Sequence, residues 1–401
     1  MSSERPIYLD YHATTPVDAR VLEQMLPWFG ASFGNPSSTH PYGQEASQAV
    51  RRAAGQIAAL VGAETRPGAT PPVHHPVVFT SGATESINLA IKGFVQAHQP
   101  TERPFRLGVM ALEHKAVLDC CKALQQAGQA EIVTLKVDAR GQLDLADLEA
   151  QCQTGLDLLA VMAANNEIGT LYPLEAICRI AAASEVPVFC DASQAAGKVP
   201  LDFENWGISL LALTAHKLYG PKGSGALVLR RGTRLTAQIH GGGHQLGLRS
   251  GTLNVPAIVG LGEACALRLA EMASDEARIG QLRDQLQSRL QAAIPALVVN
   301  GDSKARLAGN LHISLDVPND AMVAQLASSL AFSTSSACSS GLEASSHVLS
   351  AIDLALPLQR GALRLSLGKD TREAEVRQAA ELLIRARARI LAKIQATSCE
   401  G

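Results

Sequence analysis

Short apolar runs alternate with amphipathic segments along residues 75–230 of the chain. The apolar runs predict seven strands, at Val77–Thr80, Leu107–Leu112, Glu131–Val137, Leu158–Ala164, Val186–Cys190, Leu210–Thr214 and Ala226–Leu229. The segments between them have helical spacing, at Glu85–Gln96, Lys115–Ala127, Asp144–Cys152 and Leu174–Ser184. Strands that are apolar throughout indicate a sheet covered on both faces. Their alternation with helices predicts a largely parallel, doubly wound α/β sheet, which binds ligands at the carboxyl ends of its strands.

The pattern changes after Pro256. A long charged helix is predicted at about 258–293, and a smaller α+β domain is predicted behind it. The predicted strands of that domain are Ala296–Asn300, Leu311–Asp316, Ala331–Ser335 and Leu363–Leu367, and its predicted helices are 320–330, 345–353 and 371–396. The segment Gly62–Pro76 is rich in Pro, Thr and His and is predicted to be a surface loop.

The composition narrows the functional class. The 401 residues are 47% hydrophobic and 18% charged, with a formal net charge of −2. These values predict a soluble globular protein and argue against non-specific binding to nucleic acid or to an anionic membrane. No apolar run approaches the roughly 18 residues that span a bilayer, and the N-terminus has no apolar signal core, so a cytoplasmic location is expected. The eight cysteines are too sparse for a disulfide framework, so most are expected to pack in the core.

The end of the strand Val77–Thr80 carries a candidate phosphate site. Small residues, Ser-Gly-Ala-Thr, open the helix that follows this strand. They leave backbone N–H groups and two hydroxyls available to an anion. The alternative interpretation is an ordinary helix cap provided by Ser81 or Thr84.

Polar residues also follow the next strands of the predicted sheet. His114 is placed to stack on a flat ligand or to act as an acid or base, and the alternative is a satisfied structural histidine. Asn165 and Asn166 come at the same predicted edge. Asp191, followed by Gln194, is either a carboxylate at the floor of the crevice or a turn or helix cap.

Lys217 follows the strand Leu210–Thr214 and precedes a glycine-rich turn. A lysine beside His216 is a poor choice for stability, but a Schiff-base lysine needs this placement because its amine must be desolvated and close to a carbonyl. Five of the predicted strand ends thus supply a lysine, an acid for a pyridine nitrogen, a phosphate cradle and a flat partner for a ring. Together they predict a pyridoxal phosphate site.

The glycine-rich segments do not indicate a nucleotide site. Gly220–Gly225 does not match the dinucleotide fingerprint, and no P-loop consensus is present. His240 and His244 flank three glycines, but no carboxylate is near in sequence, so a loop of close backbone approach is favoured over a metal site.

Two further side chains are candidates for chemistry. Cys338 lies in a run of serines with a glycine, which keeps a thiol exposed and suits a nucleophile, and the alternative is a tolerated surface cysteine. Arg364 alternates with Leu363 and Leu365 in a predicted strand. It is either a clamp for a substrate carboxylate or a solvated arginine on a strand face.

With these residues in place, the chain resembles the cysteine desulfurases of the NifS/IscS-like branch of the class V aminotransferase family. The resemblance runs from Tyr8–Pro16 to Leu363–Gly368. It implies a fold-type I pyridoxal-phosphate-dependent transferase that forms a homodimer. The implied large domain covers 17–260, and the implied small domain covers 1–16 and 261–401 and carries the nucleophilic cysteine loop.

The resemblance also implies a role for each candidate residue. The implied ligands of pyridoxal 5'-phosphate are Ala83, Thr84, His114, Asn166, Asp191, Gln194, Thr214, His216, Lys217 and, from the partner subunit, Thr252. In that set Lys217 forms the Schiff base, Asp191 holds the pyridine nitrogen and Gln194 holds the ring hydroxyl. His114 stacks on the ring and handles protons. Arg364 and Asn166 bind the substrate, and Cys338 accepts its sulfur.

The implied reaction removes sulfur from L-cysteine, which gives L-alanine and a persulfide on Cys338. The implied partners are iron–sulfur scaffold and sulfur-acceptor proteins, and Cys338 is a candidate for transient ligation of an iron–sulfur cluster. One alternative is a related lyase, acting on cystine, cysteine or selenocysteine, or an aminotransferase, in either case without persulfide chemistry. A second alternative is a non-catalytic scaffold for iron–sulfur assembly.

The chain departs from the family pattern at three places. Thr214 stands where serine is usual, which keeps the hydroxyl. The loop with Cys338 is about one residue shorter than the common form, and Ala344 replaces a usual proline. Residues 64–76 look like an insertion.

Overall fold

A computed structural model of the chain describes residues 5–66, 73–100, 102–334 and 346–399. The strands of these residues are, in chain order, β1 (Ile7–Tyr8), β2 (Glu64–Arg66), β3 (Val73–His74), β4 (Val77–Thr80), β5 (Phe105–Met110), β6 (Ala130–Leu135), β7 (Leu158–Met162), β8 (Val188–Asp191), β9 (Leu210–Thr214), β10 (Gly225–Leu229), β11 (Val298–Val299), β12 (Asn310–Ser314), β13 (Leu330–Ala331), β14 (Ser333–Thr334) and β15 (Ala362–Ser366).

The helices of the same residues are α1 (Ala19–Met25), α2 (Pro41–Leu60), α3 (Ala83–Ala97), α4 (Lys115–Gln126), α5 (Leu145–Gln153), α6 (Leu174–Ala183), α7 (Phe203–Trp206), α8 (Val255–Ala293), α9 (Asn319–Leu326), α10 (His347–Ala351), α11 (Leu356–Arg360) and α12 (Glu373–Cys399). Short 3₁₀ turns lie at Leu26–Phe29 and Ala215–Lys217. No helix of the described residues combines the length and the apolar character that crossing a membrane requires.

Seven strands form the large sheet, in the order β4-β10-β9-β8-β7-β5-β6. The strands from β5 to β9 pair in parallel, and β10 is antiparallel to both β9 and β4. The predicted parallel, doubly wound sheet is confirmed, and the strand pattern did not distinguish the one reversed strand. Its reversal follows from the connection, because residues 215–224 are too few for a parallel crossover, which takes a dozen or more residues.

Each central strand supplies side chains to two separate cores. Leu159 and Val161 of β7 lie in a core with residues of α2, α6 and α8. Leu158 and Ala160 of the same strand lie in a core with residues of α3 and α4. Both faces of the sheet are therefore covered, which explains why the strand runs are apolar throughout rather than alternating.

A smaller antiparallel sheet, β11-β12-β15-β14, builds a third core. Helix α8 connects it to the large sheet, because Leu261 packs in the core of the large sheet and Leu286 packs in that of the small one. The N-terminus belongs to the same region, since β1 pairs with β13 and Leu9 packs in the small core. The domain boundaries implied by the resemblance stay predictions.

Four local predictions were wrong in part. The predicted loop at 62–76 contains a two-stranded ribbon, β2 and β3. The predicted strand Ala331–Ser335 is split into β13 and β14, because β13 pairs with β1 while β14 pairs with β15. The helices predicted at 320–330 and 345–353 are shorter than expected, and α1, α2, α7 and α11 were not predicted.

We predict that His312 makes the stability of the protein sensitive to acid. It is fully buried in β12, and this burial, reinforced by the charge of Arg364, lowers its pKa to about 3. The folded state therefore resists protonation while the unfolded chain takes up a proton below pH ~6.5, so stability is lost as the pH falls through this range. The free energy of unfolding falls between pH 7 and pH 5, and this fall is expected to be about 2 kcal/mol smaller for His312→Asn than for the wild type.

Urea unfolding at both pH values measures this difference. His240→Asn, at an exposed histidine, is the matched control and is expected to follow the wild type. Parallel pH dependence of the His312 variant and the wild type would contradict the burial argument.

Candidate active site

A cavity of about 680 Å³ opens at the carboxyl ends of the parallel strands. It is lined by residues that follow β4, β5, β7, β8 and β9, and by Ser333 and Arg364 from the small sheet. Ten of the predicted site residues line it: Ala83, Thr84, His114, Asn166, Asp191, Gln194, Thr214, His216, Lys217 and Arg364. The sheet topology thus brings together side chains that are up to 281 positions apart, and their individual roles stay predictions.

Lys217 lies on a turn that the N-terminal segment holds in place. The backbone N–H and the hydroxyl of Thr15 both donate to the carbonyl oxygen of His216, at 2.8 and 2.9 Å. The same hydroxyl accepts from the N–H of Tyr219 at 2.8 Å. Tyr219 has φ of 64°, a left-handed conformation that costs energy in a non-glycine residue. The surrounding hydrogen bonds therefore fix the turn that presents Lys217 to the cavity.

Asp191 ends β8 at the floor of the cavity. Its Oδ1 accepts hydrogen bonds from the N–H and the hydroxyl of Ser193. Its Oδ2 has no hydrogen-bond partner among the described residues. One oxygen therefore makes the turn that one interpretation predicted, and the other is available to a ligand that carries a proton, so the cofactor role stays a prediction.

The start of α3 is a cradle for an anion. Gly82 is the cap residue and has no side-chain capping bond, so the alternative of a cap by Ser81 or Thr84 was wrong. The close approach of β10 requires glycine, because a Cβ at Gly225 would lie 2.7 Å from the backbone of Gly82. His216 and Thr214 face the same cavity, and burial together with Lys217 lowers the pKa of His216 to about 4. A neutral His216 and the helix N-terminus suit a phosphate.

His114 is held as a neutral ring. It is the N-cap of α4, and its Nδ1 accepts from the N–H of Ala116 at 3.1 Å, so its proton sits on Nε2. Burial lowers its pKa, and Asp191 opposes this shift. The histidine therefore combines a structural capping role with a place in the cavity wall.

Arg364 connects the two sheets across the cavity. Its Nη1 donates to the carbonyl oxygen of Asn166 and its Nη2 to Asp10 Oδ1, each at 2.9 Å. The side chain is only 8% exposed, so the alternative of a solvated strand-face arginine was wrong. Asn166 Oδ1 is buried and has no partner among the described residues, as expected of a group that awaits a ligand.

The cysteines separate into two groups. Cys120, Cys121, Cys152, Cys178, Cys190 and Cys265 are buried free thiols, as predicted. Burial raises the pKa of every one of them, which disfavours the reactive thiolate. Cys338 lies outside the described residues, and the side chain of Cys399 is not described.

Two other predictions concern the loops after β10. Thr252 is exposed and does not line the cavity of its own chain, so its predicted contact from a partner subunit stays a prediction. Among the described residues no three His, Cys, Asp or Glu side chains cluster as metal ligands, and His244 instead accepts a hydrogen bond from the N–H of Gly251.

Sequence reasoning missed the contribution of the N-terminal segment to the site. His12, Ala13 and Thr14 line the cavity, and Thr14 is hydrogen bonded to His216. The run Tyr8–Pro16 carried the resemblance, but nothing in its local pattern indicated which side chains reach a site whose other residues lie between Ser81 and Arg364. A cluster of small polar residues next to an N-terminal strand was the available signal.

Comparisons with known proteins identify the family of the chain. Residues 7–378 match the family described as aminotransferase class-V. The cysteine desulfurase IscS of Anaeromyxobacter sp. (strain Fw109-5) is 44% identical over 382 residues, which cover 94% of this chain and 92% of that protein. The chain belongs to the class V aminotransferase family.

Solved structures are also similar to this member of the class V aminotransferase family. A NifS-like protein superposes with a TM-score of 0.85 at 33% identity, covering 95% of this chain and 99% of that one. SspA in complex with cysteine superposes with a TM-score of 0.76 at 32% identity, covering 90% and 99%. Membership of this family implies pyridoxal phosphate as the cofactor. The orphaned Asn166 Oδ1, the uncapped start of α3 and the available Asp191 Oδ2 fit that group.

We predict that the buried Glu113, next to His114, is protonated at neutral pH. Burial raises its pKa well above the usual range, and Asp191 adds to the shift. Its Oε1 accepts from the N–H of Met162, while Oε2 is buried without a partner among the described residues. A raised folded pKa costs stability above pH ~4.5, where the unfolded chain has released the proton that the folded state keeps. Glu113→Gln removes this cost. The free energy of unfolding of the variant, measured relative to that of the wild type, is therefore expected to rise from pH 5 to pH 8.

Chemical unfolding at pH 5, 6.5 and 8 measures this trend. Glu85→Gln is the control, because the pKa of Glu85 is shifted in the opposite direction. Although burial raises its pKa, hydrogen bonds from Arg249 and Ser81 outweigh burial and lower it, so this variant is expected to lose stability at neutral pH. A Glu113→Gln variant that loses stability relative to the wild type as the pH rises would show that the carboxyl is ionised.

Proposed function

We propose that the protein is a cysteine desulfurase that uses pyridoxal phosphate to convert L-cysteine to L-alanine and a persulfide on Cys338. The observation that carries the proposal is the single cavity that collects Lys217, Asp191, His114 and Arg364 at the carboxyl ends of the sheet. The names of the relatives support the choice of reaction, since IscS is a cysteine desulfurase and SspA is seen with cysteine. The chain spans nearly the whole length of these relatives, so the similarity is not confined to one part of the molecule.

The residues of this chain would hold the cofactor at three places. The amine of Lys217 would form the covalent link. Asp191 Oδ2 would accept a hydrogen bond from the protonated pyridine nitrogen, and the start of α3 with Thr84, Thr214 and His216 would bind the phosphate. When bound, pyridoxal phosphate supplies a protonated ring that accepts the electron pair left when the Cα–H bond of an amino acid breaks.

The protein groups around the ring would position the substrate and move its protons. Arg364 would bind the substrate carboxylate, because a guanidinium donates in a fixed fork that matches two oxygens. Lys217 Nζ would take the proton from Cα. His114, neutral and protonated at Nε2, would donate toward a ring or substrate atom. The N–H of Ala116 keeps its other nitrogen occupied as an acceptor.

Cys338 would accept the sulfur. Its thiolate attacks the sulfur of the substrate, so an S–S bond forms as the C–S bond breaks, and the electron pair of the C–S bond stays with carbon. Protonation of that carbon completes L-alanine, and no external oxidant is needed. The six buried cysteines do not compete for this role, because burial raises the pKa of each.

We predict that Cys338 and Lys217 are both required for alanine formation. Cys338→Ser and Lys217→Ala are each expected to lower the rate of alanine release from L-cysteine by about a hundredfold or more, because one removes the nucleophile and the other the amine. Alanine is measured by amino-acid analysis and protein-bound persulfide by alkylation and mass spectrometry. Cys399→Ser is the matched control and is expected to retain the wild-type rate.

Alanine formation at the wild-type rate by Cys338→Ser would favour the lyase alternative, in which sulfur leaves without a protein persulfide. A wild-type protein that binds no pyridoxal phosphate and releases no alanine would favour the scaffold alternative and overturn the proposal.

The proposed enzyme acts as a homodimer in the cytoplasm, with iron–sulfur scaffold and sulfur-acceptor proteins as partners. Two features support the dimer. Thr252 is exposed and lies away from the cavity of its own chain. Large apolar side chains are also exposed together near the N-terminus, with Leu26 57%, Phe29 67% and Phe33 72% exposed. Exposed aromatic surface of this kind is typical of a protein interface.

We predict that this apolar face stabilises the dimer. Light scattering of the holoprotein is expected to give twice the chain mass of 42.2 kDa. The double variant Phe29→Ser, Phe33→Ser is expected to shift the population toward monomer, because it removes apolar area from the interface. Leu356→Ser, at an apolar residue that is 63% exposed elsewhere, is the control and is expected to remain dimeric. A double variant with unchanged mass would place the interface on another face.

A further inference from the structure

His12 lies in the wall of the cavity and is not among the predicted site residues. The residue is only 2% exposed, yet its side chain lines the same cavity as Lys217 and Arg364. It belongs to the N-terminal segment that also contains Asp10 and Thr15, the partners of Arg364 and of the Lys217 turn. A buried histidine in this position needs a chemical explanation.

The orientation of the His12 ring is fixed from the small sheet. Asn310 Nδ2 lies 3.3 Å from His12 Nδ1 and also donates to the carbonyl oxygen of Glu167 at 2.9 Å. The amide of Asn310 is itself packed tightly, because a Cβ at Gly169 would lie 2.3 Å from its Cγ. Since both neighbours of the amide nitrogen accept, His12 Nδ1 is an acceptor and the ring proton sits on Nε2.

The charges around His12 keep the ring neutral. Burial lowers its pKa well below the usual value, and the cations Lys198, Arg364 and Lys217 lower it further. Because the ring is neutral, it is not an imidazolium acid. Because Nε2 already carries the proton, that nitrogen cannot act as a base. Nε2 has no hydrogen-bond partner among the described residues, so it presents one N–H to the cavity.

His12 is held beside Arg364 by the same segments. The backbone N–H of His12 donates to Ser366 Oγ at 2.9 Å, and Ser366 lies two positions after Arg364 in β15. Asn310, which orients the ring, pairs in register with Ser366. The carbonyl oxygen of Glu167 that binds Asn310 follows the carbonyl oxygen of Asn166 that binds Arg364. The imidazole and the guanidinium are therefore positioned by common neighbours.

These contacts describe a donor set for an anion with two oxygens. The guanidinium of Arg364 favours a negative group, and the neutral N–H of His12 offers that group one more hydrogen bond. Arg364 uses one N–H on Asn166 and one on Asp10, so further N–H groups of the fork are available to a ligand.

We propose that His12 Nε2–H donates a hydrogen bond to the α-carboxylate of the amino-acid substrate, next to Arg364. The inference rests on the proposed function, since it assigns a further substrate-positioning residue to the same reaction. It makes His12 a determinant of specificity for substrates that carry a carboxylate.

A cofactor contact is the competing role. Gln194, the predicted partner of the ring hydroxyl, donates through Nε2 to the carbonyl oxygen of His12 at 2.9 Å. An Nε2–H aimed at the cofactor would alter its absorption and affinity, whereas one aimed at the substrate carboxylate would not.

The test compares His12→Asn with His12→Gln in the holoenzyme. The asparagine amide reaches the position of Nδ1 and keeps a partner for Asn310, but it supplies no donor at the position of Nε2. The glutamine amide restores a donor close to that position. Binding of two non-substrate probes is measured by calorimetry, one with a carboxylate and a thiol but no amine (3-mercaptopropionate) and one with an amine and a thiol but no carboxylate (cysteamine).

His12→Asn is expected to weaken 3-mercaptopropionate about tenfold, to change cysteamine less than about twofold, and to raise KM for L-cysteine about tenfold with kcat within about threefold. His12→Gln is expected to recover most of the loss. The cofactor absorption spectrum and cofactor affinity are expected to stay at wild-type values in both variants.

Equal weakening of both probes, unchanged binding of 3-mercaptopropionate, or a shifted cofactor spectrum in His12→Asn would overturn this inference. A wild-type enzyme that forms no alanine from L-cysteine would instead overturn the proposed function, so the two failures are distinguishable.

Discussion

The geometry of the site depends on the contact between Thr15 and the turn that carries Lys217. Thr15 binds the carbonyl oxygen of His216 twice and the N–H of Tyr219 once, so the turn is held by a distant segment rather than by its own sequence neighbours. These bonds offset the left-handed backbone of Tyr219. Asp10 of the same segment binds Arg364. One short stretch of chain thereby sets the distance between the lysine on the large sheet and the arginine on the small one.

The parallel sheet supplies the remaining groups in a controlled charge state. Asp191 and Glu113 both lie buried at the carboxyl ends of strands, and burial with the neighbouring Asp191 raises the pKa of Glu113. A protonated Glu113 avoids a second negative charge in the same region. The histidines of the cavity are neutral for the complementary reason, since burial lowers the pKa of His12, His114 and His216 beside Lys217. The site therefore offers directed N–H donors without additional positive charge.

Much of the fold and the site could be predicted from the sequence because both rest on local patterns. Apolar strand runs located β4 to β10, polar strand ends located nine residues of the cavity, and alternation within a strand located Arg364. Features set by distant pairing could not be predicted, including the split of β13 from β14 and the reversal of β10. The place of His12 in the site could not be predicted for the same reason, because its ring is oriented by Asn310, 298 positions away. The domain boundaries and the role of Cys338 stay predictions.

The identity of the lysine that holds the cofactor tests the central claim most directly. Lys198 is the chemical rival, because burial lowers its pKa to about 7, but it donates to Gln194 Oε1 and does not line the cavity. Lys222 also lines the cavity, but it comes after the Ala215–Lys217 turn that Thr15 holds in place. The holoprotein would be reduced with borohydride, digested, and mapped by mass spectrometry. We expect the pyridoxyl group on Lys217 in the wild type, and its detection on Lys198 or Lys222 instead would contradict the assignment of the site.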